Sequence, residues 1–299
     1  MNKFMKVLAA SALVATALTG CGSKAKYAKV GFGMVTTISQ GKVNTTMATV
    51  GLDGDGKVQY LDIDCAQQNE AATGDDLKSK YEKKEAYGMK GDSPIGKEWN
   101  EQIDAFTAWA KDKTLDDIAK VETMDYHGGK AAKTGTDLAA GCTIVIDDML
   151  AAVAEAGANA KEVEADKIGA GETTSISQGK VNTTAVSVAL DADGKIVWSS
   201  IDCAQQDTKA TGDALKSKYE KKEAYGMKGD SPIGKEWNEQ IDAFTAWAKG
   251  KTADEVAKVE TMDYHGGKAA KTGTDLAAGC TIVIDDILSA LAEAAAAAK

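Results

Sequence analysis

The sequence predicts an α+β fold of two tandem homologous domains, each a small antiparallel sheet packed with helices. Residues 77–111 recur unchanged as 215–249, and residues 119–148 recur as 257–286, so the chain repeats at an offset of 138 residues. That offset is too long for a solenoid unit and is typical of a duplicated domain. Within each repeat, strand-like alternation is followed by stretches with helical spacing. These observations together define the fold class.

Length and composition agree with two globular domains and exclude several functions. A chain of 299 residues with 43% hydrophobic and 27% charged residues is typical of a soluble globular protein. The net charge of −10 argues against a nucleic-acid partner. All 35 basic residues are lysine, so no guanidinium is present for bidentate recognition. With 2 histidines and no Cys-x₂₋₄-Cys spacing, we predict no metal site.

The N-terminus resembles a bacterial lipoprotein signal peptide, which we assign to residues 1–20. Two lysines precede an apolar run, Val7 to Leu18, that is too short for a membrane-spanning helix. The sequence Leu18-Thr19-Gly20-Cys21 resembles a lipobox, in which Cys21 is lipidated and becomes the first mature residue. Residues 21–30 then form a tether. We therefore expect a lipid-anchored protein on the extracellular face of the cell membrane; a plain signal peptide is the alternative.

The repeat places domain 1 at residues 31–155 and domain 2 at residues 173–299. Residues 156–172 between them are rich in Ala, Glu, Lys and Gly, which predicts an exposed linker. Between Thr46 and Asp76 the two copies differ at alternating positions. Alternation is the periodicity of a strand with one solvated face, so we expect these positions to face solvent.

Each repeat begins with a predicted hairpin. Strand-like segments at Thr45–Leu52 and Lys57–Ile63 flank Asp53-Gly54-Asp55-Gly56, a turn sequence. A calcium loop is the alternative for the two aspartates. It lacks the third acidic position and the closing glutamate of such loops, so we favour the turn.

Helices follow the hairpin. Ser93-Pro94 is typical of a helix start, and the next helix has one apolar face consisting of Ile95, Trp99, Ile103, Phe106 and Ala110. Trp109 and its copy Trp247 are expected in the core. A second short helix is predicted to start at Thr114, and a last one after Thr143.

Catalytic motifs are sparse. The histidine of each repeat, His127 or His265, lies in Asp-Tyr-His-Gly-Gly with no Ser or Cys nucleophile motif nearby. A structural histidine is one interpretation, and a triad assembled in space stays open. No glycine-rich phosphate loop follows a strand.

The most informative motif is Asp137-Leu-Ala-Ala-Gly-Cys-Thr143, repeated at Asp275 to Thr281. It resembles the flavinylation motif Asp-x-x-Ser-Gly-Ala-Thr of the FMN-binding domain family, found in subunits of sodium-pumping and Rnf-type oxidoreductases. The Asp, Gly and Thr of that pattern match, whereas Ala140 and Cys142 depart from it. The matching and neighbouring motif positions are Asp137, Gly141, Cys142 and Thr143, and Asp275, Gly279, Cys280 and Thr281.

The resemblance implies FMN bound through a phosphoester to Thr143 and to Thr281, two covalent cofactors in all. A threonine hydroxyl is a weak nucleophile without an adjacent base, which agrees with attachment by a separate flavin transferase. We expect each Thr at a helix start, where free N–H groups suit a phosphate. The alternative is that Thr143 is only an N-cap.

The segment Tyr87 to Trp99 and its helix are also similar to duplicated FMN-binding lipoproteins of Gram-positive bacteria. That resemblance implies an extracellular electron carrier, fed by a membrane NADH dehydrogenase and quinone and reducing ferric iron or other acceptors. In one such group the signal peptide also yields a secreted peptide, which would be Leu13 to Gly20 here. Two rivals remain: a cofactor-free solute-binding or adhesion lipoprotein, and a flavin-dependent extracellular reductase.

Flat and polarizable side chains are the expected flavin contacts, because they pack on the ring and tune its potential. Trp99 has a core position as its alternative. The predicted contacts are Tyr87, Met89, Trp99 and His127 in the first repeat, and Tyr225, Met227, Trp237 and His265 in the second.

Four cysteines lie beyond Cys21: Cys65, Cys142, Cys203 and Cys280. An even count outside the membrane allows one disulfide per domain. Small buried thiols are the equal alternative.

Overall fold

The computed structural model describes residues 25–299 as a mixed α and β protein with antiparallel sheets, which confirms the predicted fold class at that level. The predicted signal peptide and Cys21 lie outside the described residues. The first repeat contains β1 (Tyr27–Ser39), β2 (Lys42–Leu52), β3 (Val58–Gln68), α1 (Lys80–Lys83), α2 (Trp99–Ala110), α3 (Leu115–Ala119), β4 (Thr123–Tyr126), β5 (Gly129–Ala132) and α4 (Asp147–Ala158). The remaining elements are β6 (Lys161–Ala165), β7 (Lys167–Ser177), β8 (Lys180–Leu190), β9 (Ile196–Gln206), α5 (Lys218–Lys221), α6 (Trp237–Ala248), α7 (Ala253–Ala257), β10 (Thr261–Tyr264), β11 (Gly267–Ala270) and α8 (Asp285–Ala297). Over this range, no helix is both long and apolar enough to cross a membrane.

Two sheets dominate the molecule, one in each repeat. The first has the order β3-β2-β1-β6 and the second the order β7-β8-β9, with β4-β5 and β10-β11 as separate hairpins. The predicted hairpin joins β2 and β3. The Asp53 carboxylate accepts hydrogen bonds from the N–H groups of Asp55 and Lys57, both at 2.9 Å. These aspartates therefore shape a turn, as the sequence predicts.

Residues 156–172 carry regular structure instead of the exposed linker that the sequence predicts. They comprise the end of α4, β6 and the first half of β7. β6 pairs with the edge of β1, where Val30 lies opposite Lys161. β6 thereby finds hydrogen-bond partners in β1 and forms the edge of the sheet. The composition of residues 161–165 alone does not reveal this pairing. Residues 27–30, which the sequence assigns to the tether, instead belong to β1, and Tyr27 and Val30 are both buried.

Helix α2 begins at Trp99, so the prediction that Ser93-Pro94 opens it is wrong. Ser93 to Gly96 form a turn in which Gly96 has a φ of 63°, a value that ends helical geometry. The first turn is capped by Glu98 and Glu101. Four of the five residues of the predicted apolar face are buried in the core, namely Trp99, Ile103, Phe106 and Ala110, whereas Ile95 lies before the helix and is only partly buried. Trp109 is partly buried against the same core.

Helix α3 has the predicted cap, because the Thr114 hydroxyl accepts from the N–H of Asp117 at 3.1 Å. Helix α4 crosses β1 at Gly31 and Gly33. A Cβ on Gly33 would lie 2.3 Å from the carbonyl oxygen of Ala152, so only glycine lets the helix pack this closely. α8 and β7 repeat the arrangement at Gly169 and Gly171.

The faces of the two sheets that do not pack on helices contact each other. The hydroxyls of Thr49 and Ser187, the same position in the two repeats, lie 2.6 Å apart. A position that touches its own copy lies on the axis relating them, so an approximate two-fold axis passes between β2 and β8. Met47 and Tyr60, where the copies differ, are buried in this interface. The expectation that the divergent positions face solvent is therefore wrong: these two face the other sheet.

Candidate functional site

The threonine of each repeated motif is held by a buried glutamine. Gln102 Oε1 accepts from the N–H of Thr143 at 2.8 Å and from its Oγ1 at 3.2 Å. In the second repeat Gln240 makes the same two bonds to Thr281, at 2.8 and 3.1 Å. Each glutamine side chain is fully buried, so the threonine hydroxyl is positioned from inside the core.

Thr143 does not stand at a helix start. It lies in an irregular segment after the 3₁₀ turn Leu138–Ala140, and α4 begins at Asp147 with Ile146 at the N-cap position. The interpretation of Thr143 as an N-cap is therefore wrong, and so is the expected proximity of the hydroxyl to a helix N-terminus. Asp147 is the first residue of α4, and its carboxylate accepts a hydrogen bond from the backbone N–H of Lys130 at 2.6 Å.

The loop before α2 fixes Gln102 in turn. Gln102 Nε2 donates to Ser93 Oγ and to the carbonyl of Lys97, both at 3.2 Å. The Glu98 carboxylate, also buried, accepts from the N–H of Met89 at 2.8 Å. The Ser93-Pro94 loop therefore serves to orient Gln102. The sequence motifs do not single out this glutamine, although a polar side chain on the apolar face of α2 is a visible signal.

The other motif residues surround the threonine in different ways. Asp137 and Asp275 are exposed. At Gly141 a Cβ would come within 2.6 Å of Ala105 Cβ, so glycine keeps the motif against α2. Cys142 is buried in the core, and burial raises the pKa of its thiol to about 11. The motif is thus held against the protein core at Gly141 and Cys142, and it is exposed to solvent at Asp137.

Two clefts lie beside the motif of the second repeat. Thr281 lines a mainly apolar cleft of about 460 Å³ together with Ile233, Met262 and Tyr264. Tyr264 also lines a second cleft of about 520 Å³. The structure brings all four predicted flavin contacts of this repeat together in the second cleft: Tyr225, Met227, Trp237 and His265. Thr281 itself lines the other cleft, and Tyr264 is common to both.

Tyr87 and Tyr225 make the same hydrogen bond in the two repeats. The Tyr87 hydroxyl donates to Gln67 Oε1 at 3.2 Å, as Tyr225 does to Gln205 at 3.1 Å. Trp99 and Trp237 are both buried in the core of their repeat, as the alternative interpretation expects, and Trp237 also lines the 520 Å³ cleft. His127 has a φ of 47° at the tip of the β4-β5 hairpin, with its ring edge-on to Tyr126.

The four cysteines within the described residues are free and buried. They agree with the interpretation as small core thiols and not with a disulfide in each domain. Burial raises the pKa of the Cys65 and Cys203 thiols. Between residues 25 and 299, no group of three or more His, Cys, Asp or Glu side chains is arranged to hold a metal ion.

Comparison with known proteins gives little guidance. No protein-family model matches the chain, and no solved structure matches it. A protein described as chlorophenol reductase, from Desulfitobacterium hafniense, is 33% identical over 96 residues. The match covers 25% of this chain and 29% of that protein. Its description applies to that protein and does not assign this chain to a family.

Proposed function

We propose that the protein is an electron carrier with FMN covalently attached to Thr143 and Thr281. The observation that carries the proposal is the Thr–Gln pair: a motif hydroxyl oriented by a buried amide, beside clefts lined with aromatic and methionine side chains. Two tandem FMN-binding domains are the finer interpretation of the repeated α and β units. Both clefts fall within the size range of ligand pockets.

The side chains around Thr281 suit a covalently attached FMN. Thr281 offers a hydroxyl at the edge of an apolar cleft, and Trp237 and Met227 offer flat or polarizable surfaces in the next one. Gln240 can orient the hydroxyl but cannot remove its proton, because a neutral amide is not a base. Attachment therefore requires a separate flavin transferase. Once bound, FMN would supply the redox chemistry, and the cleft residues would bind the ring and exclude water.

The cellular setting is part of the proposal. A lipidated Cys21 would hold the protein on the outer face of the cell membrane. The donors would be a membrane NADH dehydrogenase and quinone, and the acceptors ferric iron or other extracellular oxidants. With two flavins on one chain, an electron would cross the protein in two shorter steps, from one domain to the other. The acidic surface suits basic partners.

Intact mass tests the attachment. The full chain is produced with and without a flavin transferase, and we expect two FMN additions only with the enzyme. Thr143→Val and Thr281→Val should each remove one addition. Thr134→Val, an exposed threonine close to the first motif, should keep both. An unmodified chain in the presence of an active transferase would overturn the proposal and favour a cofactor-free binding or adhesion protein.

A flavin-dependent reductase is the second candidate. The partial similarity to a protein described as chlorophenol reductase is the observation that favours it. Steady-state assays of the flavin-loaded protein separate the two. Saturable turnover with a single organic acceptor would support the reductase, whereas unsaturated reduction of many acceptors would support a carrier.

A further inference from the structure

In each repeat one lysine lies over the aromatic side chains of the candidate flavin site. The Nζ of Lys218, the first residue of α5, is 5.5 Å from the ring centre of Tyr225 and 5.7 Å from that of Trp237. Lys80 holds the same position over Tyr87 and Trp99, at 5.6 and 5.7 Å. Lys218 lines the 520 Å³ cleft and is partly buried.

None of the ion pairs formed among residues 25–299 includes Lys80 or Lys218. Burial raises the pKa of Asp286 although the charge of Lys218 opposes that shift, and the Asp286 carboxylate accepts a hydrogen bond from Ser175 at 2.9 Å. Lys218 is therefore a positive charge at the cleft that is held by the rings of Tyr225 and Trp237 and by polar contacts with Cys203 and Tyr225, and not by a carboxylate of the described residues.

The charge persists at physiological pH. Burial works to lower the pKa of Lys218, but Cys203 and Tyr225 beside it outweigh burial, and the net shift is upward. A partly buried cation attracts an anion more strongly than an exposed one, because the surrounding dielectric constant is lower. The lysine therefore provides a site for negative charge in a protein whose net charge is −10.

We propose that Lys80 and Lys218 set the reduction potential of the two flavins by stabilising the ring in its reduced, negatively charged form. This inference rests on the proposed function. Uptake of two electrons and one proton adds one negative charge to the ring, with the electrons supplied by the membrane donor. A fixed positive charge beside the ring favours that product and raises the potential.

The test isolates the second site in the full chain. A Thr143→Val chain produced with the flavin transferase carries one flavin, and Lys218→Met is introduced into it. We expect the reduction equilibrium to fall at least tenfold, about 30 mV for a two-electron couple. Lys221→Met is the matched control: this lysine ends the same short helix and donates to the carbonyl of Ala214. Lys218→Arg should keep most of the potential.

Each outcome of this experiment either supports or overturns the redox role of Lys218. A Lys218→Met protein that carries flavin at an unchanged potential overturns this inference and leaves the proposed function intact. A Thr143→Val chain without flavin overturns both. If Lys218→Met is not flavinylated, Lys218→Gln repeats the measurement. A folded chain that lacks flavin in both variants assigns Lys218 to attachment and overturns the redox role. Lys80→Met in a Thr281→Val chain should give the same shift.

Discussion

Gln102 Oε1 accepts two hydrogen bonds from Thr143, one from its N–H at 2.8 Å and one from its hydroxyl at 3.2 Å. The two residues lie 41 positions apart in the chain, and the pair recurs between Gln240 and Thr281. A buried amide that receives both donors fixes the backbone and the side chain of the threonine together. The geometry of the motif therefore depends on α2 as much as on the motif itself.

We expect Gln102→Leu to abolish or strongly reduce FMN addition at Thr143 and to leave Thr281 modified. The hydroxyl would lose its orientation, and the partly buried N–H of Thr143 would lose its hydrogen-bond partner. Loss of the hydrogen bond to this N–H should lower the free energy of unfolding by about 1–3 kcal/mol. Intact mass and peptide mapping measure the modification, and denaturant titration measures the stability.

The second repeat is the internal control for this variant. Gln240→Leu should produce the reverse pattern, with Thr143 modified and Thr281 unmodified. Full flavin occupancy of both threonines in Gln102→Leu would show that the glutamine does not position the acceptor hydroxyl.

Gly33→Ala should destabilise the first repeat by about 1–3 kcal/mol through overpacking. Its Cβ would lie 2.3 Å from the carbonyl oxygen of Ala152, a backbone atom that cannot move without shifting α4. Gly91→Ala is the control, because Gly91 has open space around its Cβ position and should change stability by less than about 0.5 kcal/mol. Equal stability of the two variants in denaturant titration would contradict the close packing of α4 on β1.

A small acidic cleft between the repeats predicts a pH dependence of stability. Asp62, Asp64, Glu172 and Glu293 line this space of about 170 Å³. Burial, followed by the charge of Asp64, raises the pKa of Asp62 to about 7. The unfolded pKa is about 3.9, so the folded state retains a proton that the unfolded state has lost. The contribution of Asp62 is therefore present below about pH 4 and lost as pH rises towards 7.

Asp62→Asn mimics the protonated side chain. The variant should be more stable than the parent by roughly 1–3 kcal/mol at pH 8, discounted for partial exposure, and about equal at pH 4. Denaturant titrations at the two pH values measure the difference. The second repeat has Ser200 at this position, and Ser200→Asn should leave the pH dependence unchanged. A constant difference between Asp62→Asn and the parent would contradict a raised pKa.

Local signals in the sequence predicted the hairpin at Asp53, the Thr114 cap and the buried face of α2. Each of these features depends only on residues that are close together in the sequence. The pairing of β6 with β1 was missed because Lys161 to Ala165 find their partners more than a hundred residues away. Alternation at Met47 and Tyr60 was interpreted as exposure, because the period of a strand is the same whether its second face meets water or another sheet.

The candidate site was predictable in its parts and not in its arrangement. Thr143 and Thr281 were singled out because their repeated motif resembles a flavinylation motif, and residue chemistry selected the side chains that share the second-repeat cleft. Gln102 escaped because one polar residue on an apolar helix face does not reveal what it binds. Lys218 escaped because a lysine in a charged run resembles a solvated residue until Tyr225 and Trp237 are placed beneath it.

The cysteines should behave as free thiols that are protected by the fold. In a Cys21→Ser chain, which keeps Cys65, Cys142, Cys203 and Cys280, a thiol reagent should label almost nothing in the native state and four thiols after unfolding without reductant. Protection has two causes: the side chains are buried, and burial raises the pKa of Cys142 and Cys280 to about 11, which leaves little reactive thiolate. Two thiols or none after unfolding would show disulfides, and rapid native labelling would place at least one cysteine at the surface.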